Sequence, residues 1–302
     1  MRLSRLLLLS GCCFLLGSVA SEAADKKIIL IAGGPSHGVG DHEFRAGCLL
    51  LKKCLDQVPG VVSEVYSNGW PTRKMDGKVV DNNSVFEGAD AVFIYSDGGG
   101  GHPAIRPERL KVLGALAQKG VGIGCGHYAV EVPKDKGGPE LLEWIGGYFE
   151  TYWSVNPHWT ANFTNLPKHA ITRGVKPFKI KDEWYYHMRF PDGMKNVTPI
   201  LTDVPPDNTR GKPGMNDEHG GNPEVQKHIG EPEHTMWAIE RPDGGRGFGF
   251  TGGHTHKNWG EESFRKVVLN AILWTAKMEI PSEGVQSSIT QQDLAANLDP
   301  KR

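Results

Sequence analysis

The sequence predicts an α/β fold with a doubly wound, mostly parallel sheet. Three observations carry that expectation. Short, continuous apolar runs such as Lys27–Ala32 (KIILIA) and Ala91–Tyr95 (AVFIY) read as strands buried on both faces. They alternate with segments whose apolar residues recur at helical spacing, the pattern of βαβ units. Hydrophobic residues make up 38% of the 302, enough for a large core and against general disorder.

In order, Lys27–Ala32 is the first strand and ends in Gly33-Gly34-Pro35. Residues 42–57 then place Phe44, Cys48, Leu51 and Leu55 on one helical face. Val61–Tyr66 is the second strand, and Ala91–Tyr95 is the third, followed by Asp97 and four glycines. Pro107 opens a helix with Leu110, Leu113 and Ala117 on one side, and Gly120 stops it. Val121–Gly124 is the fourth strand and runs into Cys125-Gly126-His127-Tyr128. From about 150 to 235, prolines and glycines come at short intervals, and 203–234 reads as one long irregular excursion of the kind that forms lids or binding loops. Thr235–Glu240 and Gly247–Thr251 flank a Pro-Asp-Gly-Gly turn and read as a hairpin. A last helix spans 262–277, and 282–302 reads as a polar, unpacked tail.

Residues 1–24 have the form of an export signal. Arg2 and Arg5 precede an uncharged apolar stretch, and Ser18-Val19-Ala20 supplies small residues for cleavage. Leu9-Ser10-Gly11-Cys12 also resembles a lipobox, so lipidation at Cys12 stands as the alternative. Either way the protein is expected to be exported, periplasmic or secreted, with a domain at 25–281. No second apolar run reaches membrane length, so no stable membrane span is expected. With 34 Lys+Arg against 35 Asp+Glu, the chain has no broad positive field, which argues against nucleic acid as a partner. Beyond the signal only Cys48, Cys54 and Cys125 remain, too few and too unpaired for a disulfide framework.

The titratable residues fall at strand ends. His37 and His42 follow the first strand, Asp97 and His102 the third, His127 the fourth, and His254 and His256 the last. In a doubly wound sheet the carboxyl ends of the parallel strands share one edge, where ligands bind. Separate segments therefore deliver imidazoles and a carboxylate to one place, and a convergent polar site is expected there.

Gly122–Tyr128 (GIGCGHY), Asp182–Tyr186 (DEWYY), and Gly247–Trp259 (GFGFTGGHTHKNW) with Leu269–Trp274 (LNAILW) resemble the ThuA-like, trehalose-utilisation family. The resemblance runs over about 27–280. It implies the flavodoxin-like fold of the class I glutamine amidotransferase-like superfamily and a role in carbohydrate metabolism. Glutaminases of that fold carry a nucleophilic Cys in Gly-x-Cys-x-Gly and a late His-Pro-Glu. Here that reading puts Gly124 at the nucleophile position, with Cys125 one residue late, and the late segment reads His254-Thr255-His256 without Glu. Glutamine amidotransfer is therefore not expected. The resemblance also places Glu183 beside the histidines.

His127, Glu183 and His254 are thus the expected catalytic residues. His37, Asp97, His102, Tyr128, Trp184 and His256 are the expected substrate-binding ones. Two chemistries fit. Neutral imidazoles with a carboxylate bind zinc or a similar divalent ion, for which His102, His127 and His254 are the candidate ligands. The same groups can act on a small carbohydrate as metal-free acids and bases. The expected activity is that of a hydrolase, lyase or isomerase on a sugar or 3-keto-disaccharide. The alternative is a non-catalytic carbohydrate-binding or accessory protein with a degenerate site.

Overall fold

A computed structural model describes residues 25–301, so both readings of the leader, signal cleavage and the Cys12 lipobox, lie outside the described residues. Seven strands form the central sheet: β1 (Lys26–Ala32), β2 (Val61–Tyr66), β5 (Ala89–Tyr95), β6 (Gly122–Gly126), β9 (Val197–Asp203), β10 (Glu233–Glu240) and β11 (Arg246–Phe250). Their order is β2-β1-β5-β6-β11-β10-β9. The β2-β1-β5-β6-β11 block is parallel throughout, and β10 and β9 continue it as antiparallel strands. Two small hairpins lie outside it, β3 (Thr72–Met75) with β4 (Lys78–Asp81) and β7 (His158–Phe163) with β8 (Phe178–Glu183).

Helices α1 (Phe44–Leu55) and α4 (Glu262–Thr275) cover one face, and α2 (Pro107–Gln118) and α3 (Gly138–Trp144) cover the other. Successive strand residues point to opposite faces. Ile28 and Leu30 therefore pack under α1 and α4, while Ile29 and Ile31 pack under α2 and α3. Covering both faces is the reason β1 reads as an unbroken apolar run. In α1, Phe44, Cys48, Leu51 and Leu55 are all buried, as their spacing predicts. Each buried Phe or Leu of that stripe contributes roughly 1.5–3 kcal/mol relative to exposure.

Three features differ from the sequence expectation. Strand β9 and the β7–β8 hairpin lie in the 150–235 stretch that reads as irregular, and the β3–β4 hairpin lies where no element was assigned. The β3–β4 turn did carry a signal: Asp76 (φ 50°) and Gly77 (φ 75°) give the left-handed pair that an Asp-Gly hairpin turn requires. The 282–301 segment is packed as well. It holds a short helix, α5 (Gln291–Ala295), with Val285, Ser287 and Asp299 buried. It docks through Val285, Ile289 and Leu294 on the core and through buried polar groups, and a few scattered apolar residues leave no periodic signal. Asn270 of α4 accepts from the Val285 amide (2.9 Å), and Arg265 donates to the Ser287 carbonyl (2.9 Å). The 203–234 excursion does run as a connection, with β9 ending at Asp203 and β10 beginning at Glu233.

No helix among the described residues is long and apolar enough to cross a membrane. Where β11 meets β10, a Cβ on Gly249 would come within 2.2 Å of the buried Trp237 ring, whose indole N–H is fixed on the Ile145 carbonyl at 2.8 Å. Gly249→Ala should therefore cost about 1–3 kcal/mol by overpacking. Denaturant unfolding would read this, and an unchanged midpoint would contradict the packing described.

Candidate metal centre

Four side chains from four segments meet at the carboxyl edge of the parallel block. His42 precedes α1, His127 follows β6, His254 follows β11, and Glu183 ends β8, whose hairpin lies over that edge. One ligand atom from each lies within 4.8 Å of all the others. His42 Nε2 is 3.0 Å from His127 Nε2 and 3.0 Å from His254 Nδ1. Glu183 Oε2 is 2.9 Å from His254 Nδ1 and 3.5 Å from His127 Nε2. His42, His127 and His254 are buried, and Glu183 is partly exposed.

The outer nitrogens fix what the inner ones are. His127 Nδ1 sits 2.9 Å from the Thr251 carbonyl, which can only accept, so Nδ1 carries the hydrogen and Nε2 is a bare lone pair. His42 Nδ1 lies 3.0 Å from Asp97 Oδ1, which also accepts from the Ser36 hydroxyl at 2.8 Å, so His42 Nε2 is bare too. Two lone pairs 3.0 Å apart repel unless a cation or proton lies between them. A tetrahedral zinc site with bonds near 2.0–2.1 Å has ligand atoms about 3.3 Å apart. Four of the six separations, 2.9–3.5 Å, bracket that value, and all six lie within 4.8 Å. Three imidazoles and one carboxylate form a donor set suited to zinc, and each histidine has an acceptor near its outer nitrogen, as ligating histidines usually do. For His254 that acceptor is Asp41 Oδ2 at 3.6 Å.

Burial, with the neighbouring imidazoles, pulls His127 well below the ordinary value and lowers His42 as well. Burial also works against charge on His254, but the Glu183 contact and the charges of Asp41 and Asp182 outweigh it and raise its pKa. Asp97 is disfavoured by burial, yet the hydrogen bonds from His42 and Ser36 leave it lowered. The centre therefore offers two imidazoles whose neutral form burial favours and one whose protonated form Glu183 favours.

Backbone strain accompanies this geometry. His37, His42 and His127 have φ of 61°, 48° and 53°, in the left-handed region that side chains with a Cβ disfavour. The strained residue at the turn after β6 is thus His127. Gly124 lies within the strand, where a Cβ would strike the Phe248 ring at 2.3 Å. This moves the turn by three residues from its position in the motif-based reading. Cys125 faces the other layer of the core, and burial pushes its thiol up to about 12. Cys48 and Cys54 are free and buried.

The remaining candidates fall into two groups. His37 is exposed and lies over His42, with ring centroids 3.6 Å apart. Tyr128 is half-buried with its ring 6.1 Å from His42, and Asp97 orients His42 from outside. His102, Trp184 and His256 do not join the cluster. His102 is buried with Nδ1 accepting from the Ala104 amide, and burial lowers it to about 4. Trp184 is fully buried among Phe163, Phe250 and Phe264, so it presents no stacking face. The Nε2 of His256 donates to the Leu294 carbonyl and ties the 282–301 segment down. The cluster residue that sequence reasoning left out is His42, with Asp41, Ser36 and Thr251 around the histidines. The signal for it was present in His37-Gly38-x-Gly40-x-His42-Glu43.

Two outcomes follow. Because His42 and His127 are lowered, the unfolded chain takes up protons near pH 6.5 that these folded imidazoles refuse. His254 works the other way, its contribution present at low pH and fading as pH rises through its raised value. The metal-free protein should lose stability as pH falls from 7 to 5, and His127→Gln should flatten that slope; thermal melts across the range read both. Cys125→Ser and Cys125→Ala should leave ligand binding and any activity within about threefold, since the sulfur packs on the far face of the sheet. A hundredfold loss with the fold intact would restore a thiol role.

Residues 67–275 match the family model described as ThuA, trehalose utilisation. No protein of curated function matches the chain. Among solved structures, a ThuA-like protein from Parabacteroides merdae superposes with a TM-score of 0.57 at 17% identity, covering 89% of this chain and 99% of its own. Another from Bacteroides uniformis gives 0.56 at 14% identity, covering 84% and 93%. These identities speak to the fold alone, whereas the family model spans more than half of the sequence. The chain belongs to the ThuA family, which supports a role related to carbohydrate utilisation.

Proposed function

We propose that this protein is an exported enzyme that uses a divalent metal, zinc by its donor set, to act on a sugar or 3-keto-disaccharide. The carrying observation is the pair of bare Nε2 atoms of His42 and His127, 3.0 Å apart and each locked from behind by an acceptor. His254 and Glu183 complete the set. A divalent ion held there supplies a Lewis acid for a carbonyl or hydroxyl of the substrate.

The chain's own groups then have distinct tasks. Glu183 turns its second oxygen toward Asn156 (3.3 Å) and the exposed His158 (3.9 Å), so this oxygen can take or return a proton on the open side. The Tyr185 hydroxyl lies 3.4 Å from His127 Nε2, and burial with the Glu183 charge raises it far above ordinary values. It therefore stays protonated and donates hydrogen bonds. Asp97 lines a polar cavity of about 420 Å³ with Gly33, Asn68, Thr72, Arg106 and His102, one of the expected substrate-binding residues. Asp97 Oδ1 holds His42 and Ser36, so Oδ2 is the oxygen left for a ligand. A cavity of this size and polarity suits a sugar ring.

A specific observation favours the metal-free reading too: His254, raised by Glu183, can serve as an acid without any ion. Turnover of a 3-keto-disaccharide before and after chelation separates the two. Loss on chelation and recovery with zinc supports the metal, and unchanged turnover supports acid–base work by His254 and Glu183. No turnover in either state, with the sugar bound, points to the accessory protein.

His42→Ala, His127→Ala or His254→Ala should abolish activity and zinc uptake while costing less stability than the ~2–5 kcal/mol of a core truncation. Normal zinc uptake by His42→Ala would overturn the proposed ligand set. Export is checked by mass spectrometry of the chain expressed in a bacterium. Loss of about 20–24 residues is expected for signal cleavage, a diacylated Cys12 would favour the lipoprotein, and an intact N-terminus would refute export.

A further inference from the structure

The segment between β1 and α1 carries His37, Asp41 and His42, and it is held from two sides. On the inner side, the His42 amide donates to the His254 carbonyl (2.9 Å), and the His256 amide donates to the Gly40 carbonyl (2.8 Å). On the outer side stands Glu43, a carboxylate with no solvent exposure placed directly after His42. Its Oε1 accepts from the Gly40 amide (3.2 Å) and its Oε2 from the Asp299 amide (2.7 Å). The Lys301 ammonium lies 3.3 Å from Oε1, its side chain 5% exposed, and it also donates to the Asp41 carbonyl. Two charges are therefore buried where the chain around 299–301 crosses the histidine loop.

A buried ion pair is a weak source of stability, because desolvating both charges offsets most of their attraction. What this pair does supply is direction. Lys301 grips the backbone of Asp41, whose carboxylate faces His254 Nε2, and Glu43 grips the backbone at Gly40, two residues from His42. His42 holds a left-handed backbone, and such a conformation persists only where the surroundings fix it. Releasing the clamp lets residues 40–43 relax and carries His42 Nε2 and Asp41 away from the other ligands.

We infer that Glu43 and Lys301 are positioning residues for the metal centre: the segment from α5 to Lys301 clamps the His42 loop in its ligating geometry. This rests on the metal-assisted reading above. The segment is itself anchored apart from the clamp, by Lys53 to Asp293 (2.5 Å) and by His256 to the Leu294 carbonyl (2.8 Å).

The test uses the full mature protein, stripped by chelator, with zinc affinity read by competition against a chromophoric chelator and coordination read from the visible spectrum of the cobalt form. Lys301→Met should weaken zinc binding 10- to 100-fold, the usual effect of removing an outer-shell partner, and should alter the cobalt spectrum. Lys301→Arg, which keeps the cation, and Lys53→Ala, which removes only the surface anchor, should stay within threefold. Adding Glu43→Gln to Lys301→Met should cause little further loss, since both act through one contact. If Lys301→Met does not fold, a chain ending at Pro300 opens Glu43 to water and replaces it. A folded Lys301→Met or Pro300-terminated protein that binds zinc within threefold of wild type, with an unchanged cobalt spectrum, overturns the inference alone. A wild-type protein that takes up no zinc overturns the metal reading and the inference with it.

Discussion

The facing lone pairs of His42 and His127 are the constraint around which the carboxyl edge of this protein is organised. Each imidazole is buried, each is pinned from behind by an acceptor, and the two bare nitrogens stand 3.0 Å apart. Nothing in the packing of the sheet calls for this. Thr251 and Asp97 orient the two rings from behind, and His254 and the Tyr185 hydroxyl lie within reach of the inner nitrogens. The arrangement is one that a divalent ion would stabilise.

Local strain is part of the same arrangement. His42 and His127 sit in left-handed backbone that most residues avoid, and the surrounding hydrogen bonds hold them there. At the turn after β6 the fold presents the imidazole of His127. A strained strand-to-helix turn exposes one side chain to the ligand edge whatever that side chain is, so a change of residue there changes the chemistry while leaving the scaffold intact. Cys125, two residues earlier and on the other face, packs instead of reacting.

The centre also draws on parts of the chain far from the sheet edge in sequence. Glu183 arrives on a hairpin outside the main sheet, and Lys301 arrives from the segment after α4. The Asn270 and Arg265 contacts that seat the 282–301 segment are polar and buried. The apolar anchors Val285, Ile289 and Leu294 seat 282–301 on the core, and its polar residues meet the polar groups it covers.

By itself, the sequence determined the layers and the edge. Runs such as KIILIA can only be strands covered on both faces, and the Phe44, Cys48, Leu51, Leu55 stripe can only face a core. Strand ends in a parallel sheet share one edge, so His37, Asp97, His127 and His254 could be placed near one another before any coordinates. The family motifs added Glu183. Only the tertiary structure decided which of these atoms meet. His102, Trp184 and His256 also follow strands or motifs, yet one is turned into its own loop, one into the core and one onto the 282–301 segment. His42 reaches the cluster through a backbone angle and an acceptor in the loop after β5, neither of which leaves a periodic trace. Periodicity reports which face of an element is apolar. It says nothing of where a polar side chain finds its partner, because that depends on the three-dimensional position of single donors and acceptors.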